Sequence, residues 1–160
     1  MTPARFDEMQ AQLGAAIGAV MRLSVVHGMP VLDVERASVL PVAQRLKSSL
    51  GFDLLVDITA VDWPLRTPRL DVVYHFYSTR FHDRVRVKAG VAVEDPAVDS
   101  LISLYGSANF MERECHDMYG IVFNGNADLR PILLYEGFVG HPLRKDYDKH
   151  AEQPLVPYRT

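Results

Sequence analysis

The chain has 160 residues, of which 48% are hydrophobic, and a net charge of −3; this composition can form one domain with a buried core and an appendage. The weakly acidic charge does not favour nucleic-acid binding. The single cysteine excludes an internal disulfide and is typical of a reducing compartment. No apolar run approaches the ~20 residues that cross a bilayer, and the first residues lack a secretory signal pattern. We therefore expect a cytosolic protein that meets a membrane only through partners.

The first third of the chain predicts a helix, two strands and a second helix. Strands are predicted at 20–26 and 31–34. Ser38 is placed to cap the second helix, and Gly51 to end it. The first helix, from residue 4 to about 17, is predicted from apolar residues at three- and four-residue steps, namely Phe6, Met9, Leu13 and Ile17.

Three strands and two helices are predicted next. The strands cover 52–61, 70–77 and 84–89, where apolar and polar residues alternate. A helix is predicted from Asp95 to Leu104, and another from Asn109. The order predicts an α+β fold with a mixed, largely antiparallel sheet covered by helices. On the longest strand, alternation places on the buried face Phe52, Leu54, Val56, Ile58 and Ala60.

The last predicted helix carries several local signals. Asn109 is a suitable N-cap, and Glu112 lies where a capping-box carboxylate reaches back to the cap. Arg113 and Asp117 are four residues apart and can form an ion pair. Gly120 supplies the left-handed stop.

Periodicity disappears after Gly120, although large apolar residues continue among glycines and prolines. Such a segment is too apolar for a solvated linker and too broken to form its own core. We predict a head domain over 1–122 and an extended, partner-wrapping C-terminal arm over 123–160. A long loop folded back over its own domain is the alternative.

The same region resembles the 30 kDa subunit of respiratory complex I, NADH-quinone oxidoreductase. The resemblance is carried by residues 112–114, 117–123, 128–133 and 140–147, which read ERE, DMYGIVF, DLRPIL and GHPLRKDY. Weaker likeness extends upstream to 56–62, 73–75 and 84–88, and so to most of the chain. One departure is Gly125-Asn126-Ala127, where the family usually carries Gly-His-Pro.

The resemblance implies a non-redox structural and assembly subunit, peripheral on the cytoplasmic face of the bacterial inner membrane. Its neighbours would be a 49 kDa-type subunit and the adjacent iron–sulfur subunits, with FMN, iron–sulfur clusters and quinone bound in those other subunits. The equivalent component of a membrane-bound hydrogenase or another complex I relative is an open alternative.

Partner contacts are expected along the final helix and the arm, with the Arg144 guanidinium buried against the large neighbour. The predicted partner-binding residues are Glu112, Arg113, Glu114, Asp117, Gly120, Leu129, Arg130, Gly137, Gly140, Pro142, Leu143, Arg144, Lys145, Asp146 and Tyr147.

A different class of function, a small metal-dependent enzyme, is raised by Glu112 and His116, which are four residues apart on one helix. No second pair of histidines or cysteines stands at ligand spacing, and one cysteine cannot hold an iron–sulfur cluster. Phosphate-binding glycine motifs are missing from the sequence. We therefore expect no catalytic residue, no metal and no cofactor bound by this chain.

Overall fold

The computed structural model describes residues 2–16 and 22–153. The helices in this part of the chain are α1 (Pro3–Ala16), α2 (Val39–Ser48, preceded by a 3₁₀ turn at Arg36–Ser38) and α3 (Ala108–Tyr119). The strands are β1 (Arg22–Val26), β2 (Met29–Val34), β3 (Leu54–Asp62), β4 (Leu70–Tyr77), β5 (Arg84–Val91), β6 (Ala97–Asp99) and β7 (Val122–Asn124). The predictions for Ile17 and for the start of the first strand at Val20 concern positions outside the described residues.

Five strands form one mixed sheet in the order β1-β2-β5-β4-β3. Its pairs are antiparallel except for β2 and β5, which run parallel with Val31 opposite Arg86. The remaining strands, β6 and β7, form a separate parallel pair. The predicted α+β class, with a mixed and largely antiparallel sheet covered by helices, is confirmed.

All three helices contribute buried residues to one core against the sheet. Helix α3 is additionally attached to strand β3, because Ser107 Oγ and Cys115 Sγ donate hydrogen bonds to the carbonyls of Leu55 and Ile58 (both 3.3 Å). None of the helices in the described ranges is long and apolar enough to cross a membrane. The helix residues in the core are Met9, Leu13, Val39, Val42, Ala43, Leu46, Ala108 and Cys115.

The predicted buried face of the longest strand is wrong at two positions, although Phe52 is buried as expected. Leu54 and Val56 are exposed, whereas Leu55 is buried. The pairing with β4 shifts between Leu55 and Asp57, and such a β-bulge inserts one unpaired residue and reverses the alternation. After the bulge, Ile58 is buried as predicted.

The helix predicted from Asp95 to Leu104 is also wrong, because this segment forms β6 followed by turns. Val98 is buried opposite Phe123 of β7. Pairing with a strand that lies beyond α3 decides the conformation here, and local spacing does not contain that information.

The corrected register predicts unequal effects for neighbouring substitutions on β3. Leu55→Ala empties a core position and should lower the free energy of unfolding by about 2–5 kcal/mol. Val56→Ala, its matched control, removes an exposed side chain and should cost less than about 1 kcal/mol. Urea unfolding of both variants measures the difference in the free energy of unfolding. A larger loss of stability for Val56→Ala than for Leu55→Ala would contradict the observed register and support the alternation predicted from the sequence.

Candidate functional site

Helix α3 ends at Tyr119, and the residue that caps it, Gly120, takes the left-handed conformation (φ 72°). Its N–H donates to His116 O at 2.8 Å, which satisfies the first of the helix's four free carbonyls. A side chain here would be strained by the positive φ, and its Cβ atom would displace the His141 imidazole and the Arg144 guanidinium from the end of the helix. Glycine therefore both ends the helix and permits the arm to approach it.

The three remaining carbonyls at the end of α3 accept hydrogen bonds from the arm. Positive groups at this end are also favoured by the helix dipole. The bonds run from His141 Nδ1 to Asp117 O (3.1 Å), from Leu143 N to Met118 O (3.2 Å) and from Arg144 Nε to Tyr119 O (2.5 Å). The Gly-His-Pro-Leu-Arg segment is thus a remote cap of α3, and the Nε atom of Arg144 is bonded within its own chain.

The carboxylate of Asp117 holds an earlier part of the arm. Its Oδ2 accepts the backbone N–H groups of Ile132 (3.1 Å), Leu133 (2.9 Å) and Leu134 (2.9 Å). Burial acts to raise the pKa of Asp117, but the three amide donors outweigh it and hold the pKa below its ordinary value. The ionised carboxylate is therefore the form that binds the arm.

The predicted ion pair between Arg113 and Asp117 is wrong. Arg113 instead donates from Nε to Arg130 O and from Nη2 to Pro131 O, both at 3.0 Å. The two side chains lie on the same helix, yet each is used separately to bind arm backbone. Long-range backbone partners replace the local pair that the i, i+4 spacing predicts.

Glu112 is not the capping residue that the sequence predicts. Helix α3 begins at Ala108, and Asn109 Oδ1 is buried without a hydrogen-bond partner among the described residues. Glu112 is fully buried and accepts bonds from Ser100 Oγ (2.7 Å) and Leu101 N (2.7 Å). Burial raises the pKa of Glu112, while these donors act in the opposite direction.

The unusual Asn126 completes the Glu112 cluster. Its Nδ2 donates to Glu112 Oε2 at 2.9 Å, and its Oδ1 accepts the N–H of Asp128 at 2.9 Å. The asparagine therefore satisfies a buried carboxylate and forms the turn that starts the arm. This departure from the family pattern is accommodated by a specific pair of bonds.

The metal-site hypothesis finds no geometric support. Both oxygens of Glu112 are occupied by donors, and His116 Nδ1 donates to Ile121 O (2.9 Å). Across residues 2–16 and 22–153 there is no cluster of three or more histidine, cysteine or acidic side chains that could hold an ion.

The far part of the arm is fixed to the end of β3 and the start of β4. Arg69 donates Nε and Nη2 to the two oxygens of Asp62 (both 2.6 Å) and Nη1 to Asp146 Oδ2 (2.9 Å). The N–H of Lys145 donates to Asp62 Oδ2 at 2.7 Å. The Arg69 guanidinium lowers the pKa of Asp62, although burial opposes it. Neither Asp62 nor Arg69 was among the predicted site residues, because no local sequence pattern joins them to the arm.

Other predicted site residues divide between local structure and solvent. Gly140 has a positive φ, and a Cβ there would lie 2.9 Å from the ring of Tyr147. Tyr147 stacks on Phe138 with ring centroids 6.0 Å apart. Arg130 pairs with Asp128 on the surface. The rest are Leu129, which packs on the core, Pro142, which is half-buried, and the exposed Glu114, Gly137, Leu143 and Lys145.

Three large apolar side chains of the arm are exposed to solvent. They belong to Leu133, Val139 and Leu143, whose exposed fractions are 63%, 75% and 46%. We refer to these three exposed side chains together as the outer arm surface. The backbone N–H groups of Leu133 and Leu143 are bonded to α3, so the head holds the backbone at these residues while their side chains remain exposed.

A family model described as "Respiratory-chain NADH dehydrogenase, 30 Kd subunit" matches residues 32–153. The chain belongs to this family.

The C-subunit of NADH-quinone oxidoreductase from Ruegeria sp. (strain TM1040) is 46% identical over 130 residues, which cover 80% of this chain and 64% of that protein. The C-subunit from Rhodobacter capsulatus is 45% identical, with coverage of 81% and 66%. The chain thus spans about two thirds of the length of these two relatives. For the C-subunit from Geobacter metallireducens the identity is 42%, and coverage is 81% of this chain and 80% of the relative.

Two solved structures share the fold of this family member. The trypsin-resistant fragment (1–134) of Nqo5 superposes with a TM-score of 0.68 at 30% identity, covering 78% of this chain and 99% of the fragment. A chain of the membrane-bound sulfane sulfur reductase, an archaeal respiratory membrane complex, gives a TM-score of 0.73 at 23% identity, covering 91% and 86%. The second likeness concerns the fold alone.

Replacing Asp117 with asparagine should loosen the arm while leaving the head folded. The substitution keeps the size of the side chain but weakens three charge-assisted bonds, which corresponds to about 1–3 kcal/mol of local stability. Amide hydrogen exchange at 132–134 should accelerate, and exchange in β4 and β5 should not. Asp95→Asn is the matched control, because Asp95 pairs with Arg36 on the surface and makes no contact with the arm in the described structure. Equal acceleration in both variants would contradict the role of Asp117.

The same contact should depend on pH. Because the pKa of Asp117 is lowered on folding, its contribution is present above the ordinary aspartate range and is lost as the pH falls through the folded pKa. Amide NMR signals of 132–134, followed from pH 7 down through that range, should report the arm's release. Asp117→Asn should remove this dependence, whereas an unchanged titration would show that another group controls it.

Asn126→Ala should destabilise the head by about 1–3 kcal/mol, because one donor to a fully buried carboxylate is lost. Asn124→Ala is the matched control on an exposed residue two positions earlier, and it should change stability by less than about 0.5 kcal/mol. Thermal unfolding separates the two variants. Equal melting temperatures would show that Asn126 does not stabilise Glu112.

Proposed function

We propose that this chain is the non-redox structural 30 kDa subunit of a complex I-type NADH-quinone oxidoreductase and that it docks on the neighbouring 49 kDa-type subunit. Membership of the 30 kDa family supports this proposal, as do the names of the relatives that are 42–46% identical. The assembly would place the chain peripherally on the cytoplasmic face of the bacterial inner membrane, in contact with the adjacent iron–sulfur subunits.

The outer arm surface is the observation that carries the docking proposal. Leu133, Val139 and Leu143 are exposed on a segment whose backbone is bonded to α3. Burial of exposed apolar side chains against a partner is favourable, and such residues form the centres of protein interfaces. Because the arm has already made polar contacts with the head, these side chains are free to fill recesses on the partner.

The chemistry of the buried side chains supports a structural role for this chain within the proposed complex. Glu112, the most deeply buried acidic group of α3, has its oxygens occupied by structural donors. Burial also raises the pKa of the Cys115 thiol and keeps it in the less reactive protonated form. In this proposal FMN, the iron–sulfur clusters and quinone are bound by other subunits, and this chain holds those subunits together.

Among complexes related to complex I, the NADH-dependent form is favoured by the relatives. Those from Ruegeria, Rhodobacter and Geobacter are all named as components of NADH-quinone oxidoreductase. The archaeal sulfane sulfur reductase shows that the fold also occurs in a membrane complex with another activity. A membrane-bound hydrogenase would require the same type of docking surface, so the activity of the purified assembly distinguishes these cases.

The proposal predicts that Leu143→Ser reduces the amount of assembled complex in membranes several-fold. The side chain is half exposed and its backbone bond to Met118 is unaffected, so the free chain should keep its fold. Truncating an apolar interface residue at a central position costs more than about 1 kcal/mol of binding. Val25→Ser, at the opposite edge of the sheet and 57% exposed, is the matched control and should leave assembly normal.

The experiment complements a strain that lacks the natural chain with each variant. Complex content and NADH-quinone reductase activity are measured in the same membranes. Content and activity should fall together for Leu143→Ser, because a purely structural component does not alter turnover per assembled complex. Normal content with activity reduced about tenfold, equivalent to about 1.4 kcal/mol in the reaction barrier, would reject the structural role.

A further inference from the structure

Asp62 and Arg69 of the head contact the arm at residues 145 and 146. No local sequence motif connects these two residues to the arm. Asp62 ends β3, and its side chain is fully buried. Arg69 immediately precedes β4, and 21% of its side chain is exposed. The loop between them returns the chain, so the two side chains meet in a two-pronged pair with both N–O distances at 2.6 Å.

Both partners of this pair also bind the arm. Asp62 Oδ2 accepts the Lys145 N–H at 2.7 Å, and Arg69 Nη1 donates to Asp146 at 2.9 Å. The guanidinium is planar and presents its donors in fixed directions, so a single arginine can hold two carboxylates at once. An ammonium group cannot reproduce this arrangement.

The charges around Asp62 alternate in sign. Asp62 faces Arg69, which faces Asp146, and Arg144 lies close enough to Asp62 to stabilise its charge further. All the side-chain hydrogen bonds that the structure gives Arg69 go to Asp62 and Asp146. The hydrogen bonds of the Arg69 side chain to the head are thus made through Asp62, a residue that is itself bonded to the arm.

We infer that Asp62 and Arg69 are positioning residues for the C-terminal arm and fix residues 145 and 146 on the head before any partner is met. Together with the carbonyls at the end of α3, the pair defines the path of the arm from residue 141 to residue 146. A segment that is ordered before docking loses less conformational freedom on binding than a free tail. The inference deepens the proposed function, and only its consequence for assembly rests on that function.

Amide hydrogen exchange of the free, full-length chain tests directly whether residues 145 and 146 are fixed on the head. In the natural chain the Lys145 amide should exchange more slowly than an unstructured amide, because its N–H is bonded to a buried carboxylate. Arg69→Ala should accelerate exchange at Lys145 by about tenfold or more, since local opening becomes easier. Because the loss of Arg69 also leaves the buried Asp62 carboxylate without its partner, exchange in β4 and β5 should accelerate as well, but much less than exchange at Lys145. A purely general loss of stability would not single out Lys145.

Arg66→Ala is the matched control. Arg66 lies three residues away and pairs with Asp71 on β4, so exchange at Lys145 should stay as in the natural chain. Arg69→Lys should restore only part of the protection, because one ammonium cannot bind both carboxylates. Unstructured exchange at Lys145 in the natural chain, or equal acceleration by Arg66→Ala and Arg69→Ala, would overturn the inference.

Assembly in membranes separates this inference from the proposed function. Arg69→Ala should lower complex content, and Arg69→Lys should lower it less. One outcome is slow exchange at Lys145 together with normal complex content for both Arg69→Ala and Leu143→Ser. It would support the positioning role of Asp62 and Arg69 and would count against docking through the arm. The opposite outcome is exchange at Lys145 as fast as in an unstructured chain, together with a loss of complex content for Leu143→Ser. It would reject the positioning role of Asp62 and Arg69 and leave the proposed function supported.

Discussion

The carbonyl groups at the end of α3 need hydrogen-bond donors, and the arm supplies them. A helix leaves its last four carbonyls without internal partners, and leaving such groups buried and unpaired costs about 1–3 kcal/mol each. Here Gly120 satisfies one and three residues of the arm satisfy the others. The need to complete one helix therefore determines where a segment without regular secondary structure runs.

This arrangement reconciles two properties of the arm that are otherwise opposed. A free apolar tail would be ordered only by a partner, whereas a loop packed fully on its own domain would leave nothing to bind with. The described arm uses its polar groups on α3 and on Asp62, and it keeps Leu133, Val139 and Leu143 exposed. Head and arm together form one ordered surface, on which the proposed partner would dock.

The parts of the molecule that sequence alone predicts are those controlled by local physics. Gly120 ends α3 as its conformational freedom indicates, and alternation places β4 and β5 correctly. The β3 bulge reverses a pattern through one residue, Val56. Segment β6 becomes a strand because of pairing beyond α3.

The candidate site divides in the same way. A specific motif identified the arm and the end of α3, but spacing assigned Glu112 to a cap and paired Arg113 with Asp117. In the structure the Glu112 carboxylate is bonded to Ser100, and Arg113 binds arm carbonyls. Asp62 could not be assigned from the sequence, because its partner Lys145 is brought to it only by the completed fold.

Within the described residues, the main sheet contains one parallel pairing, between β2 and β5, and this pairing has a consequence for the rate of folding. Strands β1 and β2 form one local hairpin, and β3, β4 and β5 form a meander, so both units close short loops. Joining them requires β2 to find β5, with Val31 opposite Arg86 across the intervening α2, β3 and β4. Closing a long loop has an entropic cost before its contacts stabilise it, and such non-local pairings slow folding. We therefore expect the transition state for folding to lie at the step that joins the two units. The hydrophobic residues of β2 and β5 should then determine the height of the free-energy barrier to folding.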